Sequence, residues 1–413
     1  MAEVLRPSWP DSRVESMVEM RAEAGAAFFA AEAGRLAELC HLMAERFARS
    51  GRLLALGASP QARSDARHVA VEFVHPVIVG KRALPAIGLA GEGGSLLRQV
   101  ELLAEPEDIL IGFGDDASFI APPEAGEPDG VAQGLALARE RGCLTLGFER
   151  GVAEWVLEPQ VEDPFVRQEL IETSYHLLWE LVHVFFDHRG LLKGRKQRAV
   201  HDTGNSSFLY PFLAEQESDL DAVLADVRAS VLLKAEEIGQ LRAQTLVDGW
   251  EEIAAAAGAL RSALDRGGRM LVLGNGGSAT DAMDAAADMR SPPHGWPARA
   301  ALDLTEDTSI ITAIANDIGT EAIFARQVIA HAREGDVLLA MSTSGNSSNV
   351  IAALAEARRR SVTTIAMVGY DGGQVASDRL ADHVVVTGSE HIPRIQEAQA
   401  SAWHALRQLI ETG

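Results

Sequence analysis

The sequence predicts an α/β protein made of two tandem doubly wound parallel-sheet domains, and three observations carry that expectation. Short apolar runs alternate with longer helical patterns, which is the order of right-handed βαβ units. The run Gly51-Arg52-Leu53-Leu54-Ala55-Leu56-Gly57 is echoed by Gly268-Arg269-Met270-Leu271-Val272-Leu273-Gly274, so the plan occurs twice. With 413 residues the chain is too long for one ordinary core and suits two domains of about 200 residues each.

Taken in order, a helical pattern from about Val14 to Ala48 ends at Ser50-Gly51, and a strand follows at Arg52 to Leu56. Gly57-Ala58-Ser59-Pro60 then turns the chain into a helix carrying Asp65, His68 and Glu72. Further strands are expected at Pro85 to Leu89, Asp108 to Gly112, Cys143 to Gly147 and Glu154 to Leu157, with a helix at Val131 to Arg141. A long helix from Pro164 to Phe186 closes this half. The domain boundaries expected are 1–187, a linker at 188–215, and 216–413. Lys193, Arg195, Lys196 and Arg198 cluster in that linker and Gly204-Asn205-Ser206-Ser207 breaks it, which reads as a solvated connection rather than an anion site.

The second half opens with helical stretches at Leu220 to Arg242 and Val247 to Leu264. Strands follow at Met270 to Leu273, Ala298 to Leu302, Asp336 to Met341, Thr363 to Met367 and His383 to Val386, before a final helix at Ile395 to Glu411. Two pairs reinforce the repeat: Gln168-Glu169 with His176 in the first half matches Gln396-Glu397 with His404 in the second. An internal duplication is the reading.

Composition bounds the function. Lysine and arginine number 37 against 59 acids, a formal charge of −22, which argues against a nucleic-acid or membrane-surface binder. A phosphate ligand would have to be held by local donors against that field. Cys40 and Cys143 form no disulfide framework and no Cys-rich zinc site. No apolar run reaches the roughly 18 residues of a spanning helix, and Met1 to Asp11 has no signal-peptide core, so a soluble cytoplasmic protein is expected.

Two loops carry the chemistry. Gly274-Asn275-Gly276-Gly277-Ser278 follows one strand, and Ser342-Thr343-Ser344-Gly345-Asn346-Ser347 follows another. Small residues let backbone N–H groups approach an anion, and the helix that follows adds its positive end. Neither loop is a Walker A motif, and Gly274 to Ala279 is not a dinucleotide fingerprint, so no nucleotide cofactor is expected. On the other half, His68 and Glu72 lie one helical turn apart and share a face, as a metal pair or an acid/base pair requires. The alternative for His68 and His176 is packed histidines. Asp281, Asp284 and Asp288 also share one helix face, either as a solvated acidic face or as a site completed by Gln396 and His404.

At these residues the chain resembles the sugar isomerase (SIS) family and, within it, the phosphoheptose isomerases. The motifs are the two loops with Ala315-Asn316-Asp317, Asp371-Gly372-Gly373 and Arg394-Ile395-Gln396-Glu397, spanning nearly all of 220–413. The resemblance implies three-layer α/β/α domains, a sugar-phosphate substrate, and a homodimer or higher homo-oligomer with sites at interfaces. It places substrate and phosphate contacts on Asn275, Gly276, Ser278, Asn316, Asp317, Ser342, Thr343, Ser344, Ser347 and Gln396. It also implies zinc held by His68, Glu72, Gln168 and His176, and proton transfer by Glu72 with His176, or by Asp288 with His404.

Each half departs from the family pattern. The second half has Asp284 and Asp288 where phosphoheptose isomerases place histidine and glutamate. The first keeps His68 and Glu72, but its loops are degraded to Gly57-Ala58-Ser59-Pro60 and Gly112-Phe113-Gly114-Asp115-Asp116. Two functions therefore stay open: aldose–ketose isomerisation of sedoheptulose 7-phosphate or a related sugar phosphate, with a site of its own or a composite one; and a non-catalytic sugar-phosphate-binding regulator or assembly and maturation protein.

Overall fold

Two five-stranded parallel sheets organise the protein, each flanked by helices. The computed structural model describes residues 11–77, 81–90, 94–114, 130–187, 192 and 219–412. Asp115, Asp116 and the linker residues Lys193, Arg195, Lys196, Arg198 and Gly204 to Ser207 lie outside the described residues. The described residues form two compact units that are not contiguous in sequence. One comprises Ala27–Ala235 with Ala287–Ala298 and is called the N-terminal unit; the other comprises Met1–Ala26, Glu236–Ala286 and Arg299–Gly413 and is called the C-terminal unit.

The sheet of the N-terminal unit holds β1 (Leu53–Gly57), β2 (Ala86–Leu89), β3 (Ile109–Phe113), β4 (Leu144–Gly147) and β5 (Trp155–Val156) in the order β2-β1-β3-β4-β5. The three central strands are buried along their whole length, as uninterrupted apolar strands of a parallel sheet should be. Helix α1 (Ser12–Ala48) precedes the sheet, and α2 (Pro60–Val74), α3 (Leu96–Leu103) and α4 (Gly130–Glu140) connect its strands. Leu54, Leu56, Leu110, Val100, Leu135 and Ala138 are among the core on one side. The start of α2 is set locally: Ser59 Oγ accepts from Ala62 N at 3.1 Å, and Pro60 occupies the first turn, where its missing N–H costs nothing. Helix α5 (Pro164–Asp187) is begun by Asp163, which accepts from Phe165 N and Val166 N at 2.9 and 3.0 Å. It is buried continuously from Glu172 to Phe186, and the stretch mixes large apolar residues with the buried polar groups Glu172, His176, Glu180 and His183.

In the C-terminal unit, β6 (Met270–Leu273), β7 (Ala301–Asp303), β8 (Val337–Ser342), β9 (Thr363–Gly369) and β10 (His383–Thr387) run in the order β7-β6-β8-β9-β10. Replacing each strand by its counterpart reproduces the order of the first sheet. The helices are α6 (Leu220–Asp248), α7 (Trp250–Asp265), α8 (Gly277–Arg290), α9 (Thr308–Asp317), α10 (Ile323–His331), α11 (Ser348–Arg359), α12 (Gly373–Ser377) and α13 (Ile392–Thr412). Stretches of α6 and α8 fall to the N-terminal unit, as the residue ranges above state. The core on one side of the sheet includes Leu271, Leu273, Phe324, Val328, Leu338 and Leu354.

The likeness of the two sheets reaches single side chains. In the first, Asp108 accepts from Arg52 N at 2.8 Å, from Arg52 Nη2 at 2.7 Å and from Glu105 N at 2.9 Å. In the second, Asp336 accepts from Arg269 N at 2.9 Å, from Arg269 Nη2 at 2.9 Å and from Arg333 N at 3.0 Å. The carboxylate thus ties the entry of β1 to that of β3, and the entry of β6 to that of β8. Helices α3, α9 and α10 were not among the expected elements; each is short, and propensity over so few residues is a weak signal.

Candidate functional site

The two loops of the C-terminal unit lie at the carboxyl ends of β6 and β8, where ligands sit in open parallel sheets. They are joined to each other. Asn275 Nδ2 donates to Asn349 Oδ1 at 2.9 Å, and Asn349 Nδ2 returns the bond to Asn275 Oδ1 at 2.8 Å. The first loop therefore holds the opening turn of α11, and both helix N-termini serve one locality. Gly276 and Gly345 have φ of +58° and +62°, values that side-chain-bearing residues avoid. A Cβ on Gly345 would also stand 2.2 Å from Gly372 O, so the loop after β8 presses on the loop after β9. Asn346 bridges the same loops by accepting from Gln374 N at 2.9 Å.

Ser278 and Ser342 are buried, while Thr343, Ser344 and Ser347 are half-buried. Ser347 caps α11 without using its hydroxyl for the cap, which leaves that group for other work. Ser342 Oγ accepts from Gly345 N at 3.2 Å and Ser344 Oγ accepts from Asn346 N at 3.1 Å, so both hydroxyls shape their own loop. Asn275 and Gly276 are exposed. Asn316 and Asp317 stand exposed at the end of α9, with Asn316 Nδ2 donating to Asp317 Oδ1 at 2.7 Å. Gln396, on α13, is buried and donates to Asp281 Oδ2 at 3.2 Å. Asp281 and Asp288 are both buried and Asp284 is half-buried, so the three do not make a solvated acidic face.

In the N-terminal unit, His68 and Glu72 on α2 meet His176 on α5, with all three buried and one donor atom from each lying within 4.8 Å of the others. His176 Nε2 is 3.3 Å from His68 Nε2, and His68 Nε2 is 3.9 Å from Glu72 Oε1. Two nitrogens at about 2.0–2.1 Å from a tetrahedral ion would stand about 3.3 Å apart, so the residues fit a metal ion. His68 Nδ1 meets Tyr175 Oη at 3.0 Å, a partner that would orient the ring and leave Nε2 facing the cluster. Tyr175 also hydrogen-bonds the Asp65 side chain. Gln168 Oε1 is buried and has no hydrogen-bond partner among the described residues.

Sequence reasoning grouped Asp288 with His404, both on elements of the second half. The structure assigns Asp288 to the N-terminal unit and His404 to the C-terminal one. Asp288 Oδ1 there accepts from Gln61 Nε2 at 3.4 Å, and Gln61 Nε2 also donates to Ser291 O at 3.1 Å. Asp288 also faces Asp65 closely enough to repel it. Burial chiefly, with that repulsion, pushes the Asp65 carboxyl up to about 8 in spite of the Tyr175 hydrogen bond. Gln61, Asp65 and Tyr175 were not among the expected site residues. Their sequence signals are slight: Asp65 is one turn before His68, and Tyr175 is next to His176.

A pocket partly open to solvent lies at the carboxyl ends of β1, β3 and β4. Ser59, Gln61, Asp65, Phe113, Glu149 and Gln168 are on its wall. No described helix is long and apolar enough to cross a membrane.

The chain is similar to several known proteins. The SIS domain pattern matches residues 235–369. A phosphoheptose isomerase of Geobacter metallireducens is 47% identical over 165 residues, which cover 39% of this chain and 85% of that protein. Another, from Rhodospirillum rubrum, is 42% identical over 166 residues, covering 38% of this chain and 84% of the relative. These similarities fall in the C-terminal part. Over the whole length, the C-terminal domain of glucosamine-fructose-6-phosphate aminotransferase from Francisella tularensis shares the fold at a TM-score of 0.56. It is 10% identical, and the match covers 98% of this chain and 96% of that one. With its paired parallel sheets, its joined loops at β6 and β8 and these relatives, the chain belongs to the SIS domain family.

Proposed function

We propose that the protein is a sugar-phosphate isomerase that interconverts the aldose and ketose forms of sedoheptulose 7-phosphate, or of a related sugar phosphate, through an enediolate. The observation that carries the reading is the buried cluster of His68, Glu72 and His176. A protein that only bound a ligand would have no need of three ionisable groups gathered out of water, where each costs desolvation. The likeness to phosphoheptose isomerases supports the substrate class.

The phosphate is held by Ser278, Ser342, Thr343, Ser344 and Ser347 with the N-termini of α8 and α11, while Asn275 and Gln396 fix the geometry of that site. Within the N-terminal unit, Glu72 and His176 are the pair suited to proton transfer, a carboxylate and an imidazole on neighbouring helices. His68, Glu72, Gln168 and His176 would hold a zinc ion, which when bound polarises substrate oxygens. Asp288 with His404 is the competing proton-transfer pair. A homodimer or larger assembly belongs to the same proposal and is checked by light scattering.

Incubation with sedoheptulose 7-phosphate, with and without zinc, followed by product analysis tests the reading. Turnover is expected, and Glu72→Gln should lower kcat by about 10²-fold or more while Asp288→Asn leaves more activity. Metal analysis of the purified protein should show zinc that His68→Ala and His176→Ala remove. The second reading, a sugar-phosphate sensor or maturation factor, is favoured by Asp284 and Asp288 standing where the relatives' histidine and glutamate are expected. No turnover, with phosphate-dependent thermal stabilisation that Ser344→Ala abolishes, would establish that reading instead.

A further inference from the structure

Helix α13 backs both small-residue loops of the C-terminal unit. At the start of α8, a Cβ on Gly277 would stand 2.3 Å from Gln396 Nε2, so that glycine leaves room for a buried amide of α13. One turn further along α13, Gln399 Nε2 donates to Ser342 O at 3.4 Å. Ser342 ends β8 and opens the loop that runs to Ser347. Because its partner is a carbonyl, only the nitrogen end of the Gln399 amide can face it, which fixes the orientation of the side chain.

An amide is a costly choice at this place. Gln399 is 0% exposed, and its Oε1 has no hydrogen-bond partner among the described residues. A buried acceptor without a donor loses more than one long hydrogen bond returns. The first repeat shows the apolar alternative: since Gln168 matches Gln396, the residue matching Gln399 is Ile171. That repeat also has Pro60 at the place of Gly277, and its sequence after β3 continues Gly114-Asp115-Asp116 in place of the hydroxyl-rich loop. The amide therefore occurs in the repeat that has the loop, and an apolar side chain in the repeat that lacks it. A local rule broken at a cost in one repeat alone marks a functional position rather than a packing one.

What the bond accomplishes follows from the planarity of the peptide. In a trans unit the carbonyl of Ser342 and the N–H of Thr343 point in opposite directions and turn together. Holding the carbonyl toward α13 fixes the direction of that N–H and the setting of the hydroxyls that follow it.

We infer that Gln399 is a positioning residue for phosphate, which does not touch the anion but pins the peptide between Ser342 and Thr343 so that the donors of the loop converge on it. The inference rests on phosphate being held by that loop and not on catalysis.

Calorimetric titration of the full chain with inorganic phosphate, beside thermal unfolding, is the test. Gln399→Met keeps the length of the side chain without its N–H, and Gln399→Ile reproduces the first repeat. Each should weaken phosphate binding about three- to tenfold. Their Tm should stay at or above that of the wild type, because a buried unpaired oxygen has been removed. With sedoheptulose 7-phosphate the same variants should raise KM by a similar factor and leave kcat nearly unchanged. A residue that only filled space would show the reverse, a lower Tm with phosphate binding intact. The inference is overturned if phosphate affinity is unchanged in both variants, or if it falls only where Tm falls too. Ser344→Ala separates the two readings. If it weakens phosphate binding and the Gln399 variants do not, the positioning role alone fails. If the wild type binds no phosphate, or Ser344→Ala leaves binding intact, the placement of phosphate in the loop fails and the positioning role with it. Binding results as expected without turnover refute the isomerase alone.

Discussion

Asp65 shows how much one residue's role depends on company that lies far away in the chain. Its carboxyl is raised from 3.8 to about 8, chiefly by burial. Between those values the folded protein keeps the proton and the unfolded chain has lost it, so folding stability falls as pH rises from about 4 to about 8 and is unaffected by this group outside that window. Asp65→Asn, which cannot ionise, should flatten that part of the profile. The check is the difference in Tm between variant and wild type across the window; a difference independent of pH would refute the assignment. Nothing at position 65 in the sequence announces this behaviour. The cause is the burial of the α2 face against α5 and the approach of Asp288, more than 200 positions later. His68 and Glu72 were legible as a pair because their relation is local, one turn of one helix.

At the level of elements, the carboxylates at the entries of β3 and β8 fasten each sheet to itself. Asp336 is buried and receives two backbone N–H groups and a guanidinium. Asp336→Ala would strand those donors and should destabilise the protein by about 3 kcal/mol, measured by urea unfolding. Asp336→Asn should recover part of that, because one acceptor oxygen remains. Asp108→Ala should behave alike, since its three partners are the same in kind. The strands were readable from their apolar runs, and most of their limits shifted by only a residue or two. The short helices α3, α9 and α10 were not readable, because their stability comes from packing against neighbours rather than from local preference. The pairing of Asn275 with Asn349 was equally hidden: two amides 74 positions apart carry no periodic signal.

For the whole molecule, the formal charge of −22 sets a field that opposes an anionic substrate. Screening should therefore help: raising ionic strength shortens the Debye length from about 30 Å at 0.01 M to about 8 Å at 0.15 M. Association of sedoheptulose 7-phosphate, followed by stopped flow, is expected to speed up over that range rather than slow down. A rate that falls with salt would mean that local positive potential at α8 and α11 dominates the net charge. The thermal midpoint should rise with salt for the same reason, as self-repulsion is relieved.

The sequence by itself determined the class of fold, the double plan, the two small-residue loops and the face shared by His68 and Glu72. All of these follow from spacing along the chain, because strand and helix periods and turn residues act over a few positions. Tertiary structure alone decided that Asp288 keeps company with Gln61 and Asp65, that Tyr175 joins Asp65 to His68, and that Gln399 reaches the Ser342 carbonyl. Those contacts link positions far apart in sequence, and no local preference specifies which buried polar group meets which. The packing of helices on a sheet does so, by taking the groups out of water together and leaving each to find a partner there.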